Sequence, residues 1–159
     1  MRNVLEWLEH MEEQSGEKIA VADPKEEYSF TQLKMYAQKG GTYLRKWMTG
    51  TAPVAIYMEK SCATLSIMFG AIYAGCPYCL LDLRQPDVRL RQILKVLQPE
   101  VIVTKEENLD CHTQQSSIKP LLLGAEGGGG ILLGGATTWD EAADQGEHYA
   151  ENQDRKSVV

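Results

Sequence analysis

The sequence predicts an α/β fold: a parallel sheet with helices on both faces (a βαβαβ core), preceded by a helix and a short hairpin. Three observations carry this. Runs of consecutive apolar residues at 53–58, 78–81 and 101–103 have the pattern of strands covered on both faces. Helical periodicity fills both intervals between them, and each interval is long enough for a right-handed crossover. The 159 residues, 43% hydrophobic and 24% charged, suit one ordinary domain of globular composition.

Each element follows from local chemistry. Asn3 can cap a first helix whose Val4, Leu5, Trp7, Leu8 and Met11 share one face, and Gly16 ends it. Residues 18–22 read as a short strand, Asp23-Pro24-Lys25 as a turn and residues 28–30 as a second strand, giving the hairpin. Thr31 caps a longer helix with Leu33, Tyr36, Ala37, Gly40, Tyr43, Leu44 and Trp47 at three- and four-residue steps. Gly40 and Gly41 each cost that helix about 1 kcal/mol against alanine, which close packing on a neighbour would justify. After the strand at 53–58, Ser61 is the N-cap of a buried helix carrying Leu65, Met68, Phe69, Ile72 and Tyr73, with Gly75 at C′. The strand at 78–81 ends at Asp82. Pro86 opens the next helix, which bears Val88, Leu90, Ile93, Leu94 and Leu97, and Pro99 stops it before the strand at 101–103.

The texture changes after Thr104. Half of the fourteen glycines fall between Gly124 and Gly135, and residues 140–156 are polar and acidic. The expected organisation is an α/β subdomain at 1–104, a Gly-rich, partly ordered extension at 105–139 and an acidic mobile tail at 140–159. Residues 1–104 balance twelve acids against twelve bases, so the net charge of −6 sits in the last third. With no basic stripe, a nucleic-acid partner is excluded. No run approaches the ~20 apolar residues of a membrane span, and the acidic N-terminus lacks the features of a signal peptide. A cytoplasmic location is therefore expected, with Cys62, Cys76, Cys79 and Cys111 as reduced thiols.

Four features invite chemistry. Cys76-Pro77-Tyr78-Cys79 spells a dithiol motif, the basis for an alternative reading as a thiol–disulfide oxidoreductase. That chemistry needs the first thiol at a helix N-terminus, whereas here a helix ends at Gly75 and a strand follows. For zinc, adjacent Cys111 and His112 cannot easily reach one ion together with a single CxxC, so no metal ligand is assigned. The glycine segment 124–135 contains neither hydroxyl nor base and carries Glu126, unlike a phosphate loop. Asp82, at a strand's carboxyl end where α/β proteins bind ligands, is the best single polar candidate; a turn role before Pro86 is the favoured reading. His10, His112 and His148 stand in surface-like contexts.

A family resemblance emerges from the motifs in series. Ile72-Tyr-Ala-Gly-Cys-Pro-Tyr-Cys-Leu-Leu-Asp82, followed by Pro86-Asp-Val-Arg-Leu90, resembles the L-K-A-G-x-x-Y-x-P-I-D and P-x-x-R-L motifs of the adenylate-forming (AMP-binding) ligases. Ala74, Gly75, Tyr78, Asp82, Pro86, Arg89 and Leu90 match; Leu80 stands where the family usually has proline, and Cys79 replaces a β-branched residue. Tyr28-Ser-Phe-Thr-Gln-Leu33 is similar to the family's aromatic-[ST]-Y-x-E-L segment, and residues 54–61 and 97–104 fit its neighbouring strands. The resemblance covers residues 1–104 and is strongest to amino-acid adenylating enzymes, such as the ligase that charges D-alanine onto a carrier protein.

The resemblance implies an ATP-dependent carboxylate–AMP ligase, which uses ATP and Mg to form an acyl-adenylate and then transfers the acyl group to a pantetheine thiol. The family's T-S-G-S-T-G-x-P-K-G-type phosphate loop and its later catalytic lysine have no match in these residues. What is implied is an N-terminal subdomain cut before any catalytic motif, inactive alone and binding no cofactor. Its partners would be the remainder of the adenylating enzyme and a carrier protein. No catalytic, cofactor-binding or metal residue is carried over. The alternative reading outside catalysis is a non-catalytic α/β interaction module.

Overall fold

A computed structural model of the chain describes residues 3–108, 118–123 and 133–135. Helix α1 (Val4–Ser15) starts where Asn3 accepts hydrogen bonds from the Leu5 and Glu6 amides. Strands β1 (Ile19–Ala22) and β2 (Glu27–Ser29) form the expected antiparallel hairpin. Helix α2 (Phe30–Trp47) begins earlier than the threonine suggested. Ser29, not Thr31, is the N-cap: its hydroxyl accepts from the Gln32 amide at 3.3 Å, and the Gln32 side chain accepts from the Ser29 amide at 2.9 Å. This reciprocal capping box satisfies two helix-end donors at once, which a lone Thr31 could not do.

The core follows as β3 (Val54–Tyr57), α3 (Cys62–Tyr73), β4 (Tyr78–Leu80), α4 (Asp87–Leu97) and β5 (Val101–Thr104). Pro86 lies one position before α4, and its carbonyl accepts from the Arg89 and Leu90 amides. The sheet continues past residue 104 through β6 (Lys119–Leu123), parallel to β5, and β7 (Leu133–Gly135), antiparallel to β6.

The sheet order β4-β3-β5-β6-β7 fixes the layers. From β3 the chain moves one place to β4, then back across β3 to β5, so right-handed crossovers put α3 and α4 on opposite faces. Side chains confirm this. Val54, Ile56, Val101, Val103 and Leu121 pack with α1, α2 and α3, while Ala55, Tyr57 and Ile102 pack with Leu90 and Leu94 of α4. Val54, Ala55, Ile56 and all three valine/isoleucine positions of β5 are fully buried.

The expectation that residues 78–81 are buried like the other strands is corrected. β4 pairs only with β3 among the described strands, and Tyr78 and Leu80 are 36% and 47% exposed. Only Leu81 is buried. The apolar run is the same in β3 and β4; what differs is position, centre against edge.

Helices α2 and α3 meet at glycines. A Cβ on Gly41 would lie 2.8 Å from the Gly70 carbonyl oxygen, and one on Gly70 would lie 3.0 Å from the Ala37 oxygen and the Gly41 nitrogen. The close approach is the packing that offsets glycine's helix cost. At its other end α3 closes in a Schellman turn: Gly75, at φ +73°, and Cys76 donate to the Ile72 and Ala71 carbonyls, each at 2.9 Å.

Candidate functional site

Adjacent parallel strands whose outgoing helices lie on opposite faces leave a crevice at their carboxyl ends. In this chain those strands are β3 and β4. A cavity of about 490 Å³ opens there, within the range of small-molecule sites, with Met58, Lys60, Thr64, Leu80, Asp82 and Gln85 among its lining residues.

The polar groups at its rim are tied together. Asp82 accepts from the Arg84 amide at 2.9 Å, and its carbonyl accepts from the Gln85 amide at 3.1 Å, so it shapes the turn that the sequence suggested. Its carboxylate also holds the Arg84 guanidinium at 3.2–3.3 Å. That side chain first, with the Arg84 amide, holds the Asp82 carboxyl below the usual range. On β3's side, Glu59 pairs with Lys105 from the end of β5. Burial, the largest single influence, would raise the Glu59 carboxyl, but the Lys105 ammonium, a backbone hydrogen bond and the Lys25 charge together bring the net shift downward. Thr104 donates to the Tyr57 carbonyl at 2.8 Å and fixes the β5 end beside β3. Ser61 caps α3 by accepting from the Thr64 amide at 3.2 Å, and Thr64 donates to the Glu59 carbonyl at 2.6 Å.

Two of the rim's cations are held by ion pairs within the chain. Arg84 is engaged by Asp82 and Lys105 by Glu59, Lys60 also lines the crevice, and among the described residues no loop of glycines and hydroxyls does. Among the described residues, no group of three or more His, Cys, Asp or Glu side chains is placed to hold a metal. The described residues of the crevice do not by themselves make a site for ATP with Mg.

The thiols are placed away from the crevice. Cys76 is the buried residue after the αL turn of Gly75, and Cys79 is half-buried in mid-β4, level with Ala55. Neither stands at a helix N-terminus, the position that would activate it. His10 is exposed on α1. Cys111, His112, His148 and residues 124–132 and 140–159 lie outside the described residues.

Sequence reasoning missed two long-range ties. One is Glu59–Lys105. The other is Asp23: besides the Lys25 and Glu26 amides of its own turn, its carboxylate accepts from the Cys62 amide at 2.8 Å, at the start of α3. The turn was legible from Asp23-Pro24, but its partner 39 positions away was not. That amide first, then Lys25's, holds the Asp23 carboxyl far below the usual range. Depressed carboxyls such as Asp23, Asp82 and Glu59 add stability that is present above their ordinary values and lost as pH falls through the folded ones.

Cys62 shows the opposite sign. A helix N-terminus favours thiolate, yet burial first, and then the Asp23 carboxylate, push this thiol from 9.0 up to about 11. Its contribution is therefore complete below pH 9 and lost as pH rises through about 11. Urea midpoints measured from pH 8 to 11 are expected to fall more steeply for the wild type than for Cys62→Ala. Equal slopes would show that the thiol is not held neutral. Tyr73, raised to about 12 by burial and by its hydrogen bond to Glu9, acts with the same sign in both proteins.

Among the described residues no helix is long and apolar enough to cross a membrane. The sequence profile of the family described as "AMP-binding enzyme" matches residues 8–156. The D-alanine–D-alanyl carrier protein ligase of Staphylococcus epidermidis is 29% identical over 111 residues, covering 69% of this chain and 22% of the ligase. Cyclosporin synthetase simA of Tolypocladium inflatum is 28% identical over 115 residues, 72% of this chain and 1% of the synthetase. In the crystal structure of IdnL1 the same fold is found with a TM-score of 0.70 at 17% identity, over 84% of this chain and 27% of IdnL1. The chain spans about a quarter or less of the length of these proteins.

Proposed function

The chain belongs to the AMP-binding enzyme family, and we propose that it forms the N-terminal scaffold of an ATP-dependent ligase that activates an amino or carboxylic acid as its adenylate. In the whole enzyme, ATP and Mg are held by other residues, and the acyl group passes to a pantetheine thiol on a carrier protein. The work is cytoplasmic, where the cysteines stay reduced. Residues 1–104 carry the family motifs of the scaffold, the extension at 105–139 adds β6 and β7 to the same sheet, and the acidic tail at 140–159 follows.

One observation carries this reading: the residues that bear the family motifs make turns and caps. Ser29 and Gln32 cap α2, Gly75 turns the end of α3, and Asp82 builds the turn into α4. The similarity to a D-alanine–D-alanyl carrier protein ligase supports an amino-acid substrate class.

The test is ATP–pyrophosphate exchange by the purified chain with Mg-ATP, labelled pyrophosphate and a pool of amino and fatty acids. Adenylation rests on positioned donors and cations around the phosphates, and of the cations at this crevice Arg84 is held by Asp82 and Lys105 by Glu59. No exchange is expected, with ATP binding no tighter than about 1 mM, or about −4 kcal/mol. Substrate-dependent label in ATP above a heat-killed control would overturn the scaffold reading.

A further inference from the structure

Helix α4 carries two cations on one flank. At 100° per residue, Arg91 and Lys95 lie about 80° and 120° round the helix from the line of Leu90 and Leu94, and Arg89 lies about 120° the other way. Helix α4 returns from β4 to β5 in a right-handed crossover. With Leu90 and Leu94 on the sheet, a right-handed helix therefore turns Arg91 and Lys95 toward β6, and Arg89 toward β4. Arg91 and Lys95 are exposed, and among the described residues neither is in an ion pair.

On the side they face there is sheet without a helix. Strands β6 and β7 extend the sheet beyond β5, and Pro120 is level with Ile102 and faces the same way. Among the described residues α4 is the only α-helix on this face, while α1, α2 and α3 pack on the other. The chain leaves β7 here, at Gly135.

The sequence that follows, outside the described residues, carries helix signals. Thr138 and Glu141 have the spacing of a capping box. Asp140, Asp144, Glu147 and Glu151 recur at steps of four, three and four, which places them on one helix face, with Trp139, Ala143 and Ala150 on the adjoining one. Like charges four residues apart, and Gly146, oppose such a helix in isolation. Cations beside the stripe reverse that repulsion.

We propose that residues 139–151 form a helix over β6 and β7, beside α4, with its carboxylates on Arg91 and Lys95. Connection and handedness argue for this segment as the occupant. Residues 136–138 are a connection of ordinary length between a strand and a helix. Strand β7 is antiparallel to β6, so a helix turning back over it runs opposite to α4. In that direction, with Trp139, Ala143 and Ala150 on the sheet, a right-handed helix turns its carboxylate stripe toward α4. Run the other way, it would turn the stripe outward. The antiparallel run sets the first carboxylates beside Lys95, the next beside Arg91, and the Arg155-Lys156 end toward Asp87. The proposal and the scaffold reading do not depend on each other.

The test is hydrogen–deuterium exchange of the 159-residue chain at pH 7 and low salt, read by mass spectrometry over residues 139–151. A synthetic peptide of residues 136–159 is the free reference. Exchange at least tenfold slower than in the free peptide is expected. Arg91→Glu with Lys95→Glu is expected to abolish the slowing, and adding Asp144→Lys with Glu147→Lys to restore it. Lys39→Glu, at an exposed position of α2, is the control and leaves the slowing unchanged. Circular dichroism melts establish that each variant is folded, and the milder pair Arg91→Gln with Lys95→Gln serves should the reversal unfold. Equal exchange in the chain and the free peptide would overturn the proposal. Slowing that survives the reversal, or that the charge swap fails to restore, would overturn α4 as the seat. Loss in Lys39→Glu as well would mark an effect of net charge and overturn the pairing. Slowing lost on tenfold dilution would place the segment on a second copy and overturn docking within one chain.

Discussion

Replacing Ile56 with alanine is expected to cost about 2–5 kcal/mol of stability, the range for truncating a large core aliphatic side chain. Ile56 is fully buried in β3, flanked by β4 on one side and β5 on the other. Its side chain lies in the cluster with Val54, Val103 and Leu121, beneath the helical layer. Because β3 is paired on both edges and covered on both faces, no backbone shift closes the cavity without breaking a ladder. Against a total stability of about 5–15 kcal/mol, the loss is a large share. Guanidinium titration measures it as a lower midpoint at unchanged slope. A cost under about 1 kcal/mol would show that Ile56 is not core.

The second large effect comes from neighbouring glycines that should respond with opposite sign. Gly41→Ala drives a methyl to 2.8 Å from the Gly70 carbonyl oxygen and 3.0 Å from the Tyr73 Cβ. One of these is backbone of a packed helix and cannot swing aside. Overpacking of this kind costs about 1–3 kcal/mol, and extreme closeness places it toward the upper end. The helix propensity regained is about 1 kcal/mol, so the net result is a loss. At Gly40 the nearest atom to an added Cβ is the Ile67 Cδ1 at 3.6 Å, an ordinary contact. Gly40→Ala is expected to be neutral or to gain up to about 1 kcal/mol. Thermal or denaturant unfolding of the two variants side by side decides the matter. Equal responses would mean that the helices do not approach at Gly41.

Much of the fold was legible because the signals were local. The three apolar runs, the Ser61 and Asn3 caps, Gly75 at C′ and the paired glycines of α2 each depend on a few adjacent residues. The start of α2 was misplaced because Ser29 and Thr31 are both good caps, and only the reciprocal bond with Gln32 separates them. The exposure of Tyr78 and Leu80 was not legible, since an edge and a centre strand can carry the same run. Sheet order decides exposure, and sheet order is a long-range property. The crevice was half legible: Asp82 marked a strand's carboxyl end, but the Glu59–Lys105 pair joins residues 46 positions apart. Asp23 on the start of α3 is missed for the same reason, since nothing in its turn names a distant amide.

The sheet order has a consequence for how the chain is made. An interior strand, β3, comes first in sequence among the strands of this sheet, and its two partners arrive later and on opposite sides. Val54 pairs with Tyr78 and also with Val101, so the second partner leaves the ribosome 23 residues after the first. At about 5–20 residues per second, that delay is roughly 1–5 s. During it, β3, α3 and β4 can close as a unit while the other side of β3 stands open, lined by backbone donors and acceptors that later pair with β5. For those seconds a strand that ends up interior is an edge, and slow decoding of the codons between Tyr78 and Val101 prolongs its exposure to any other nascent strand nearby.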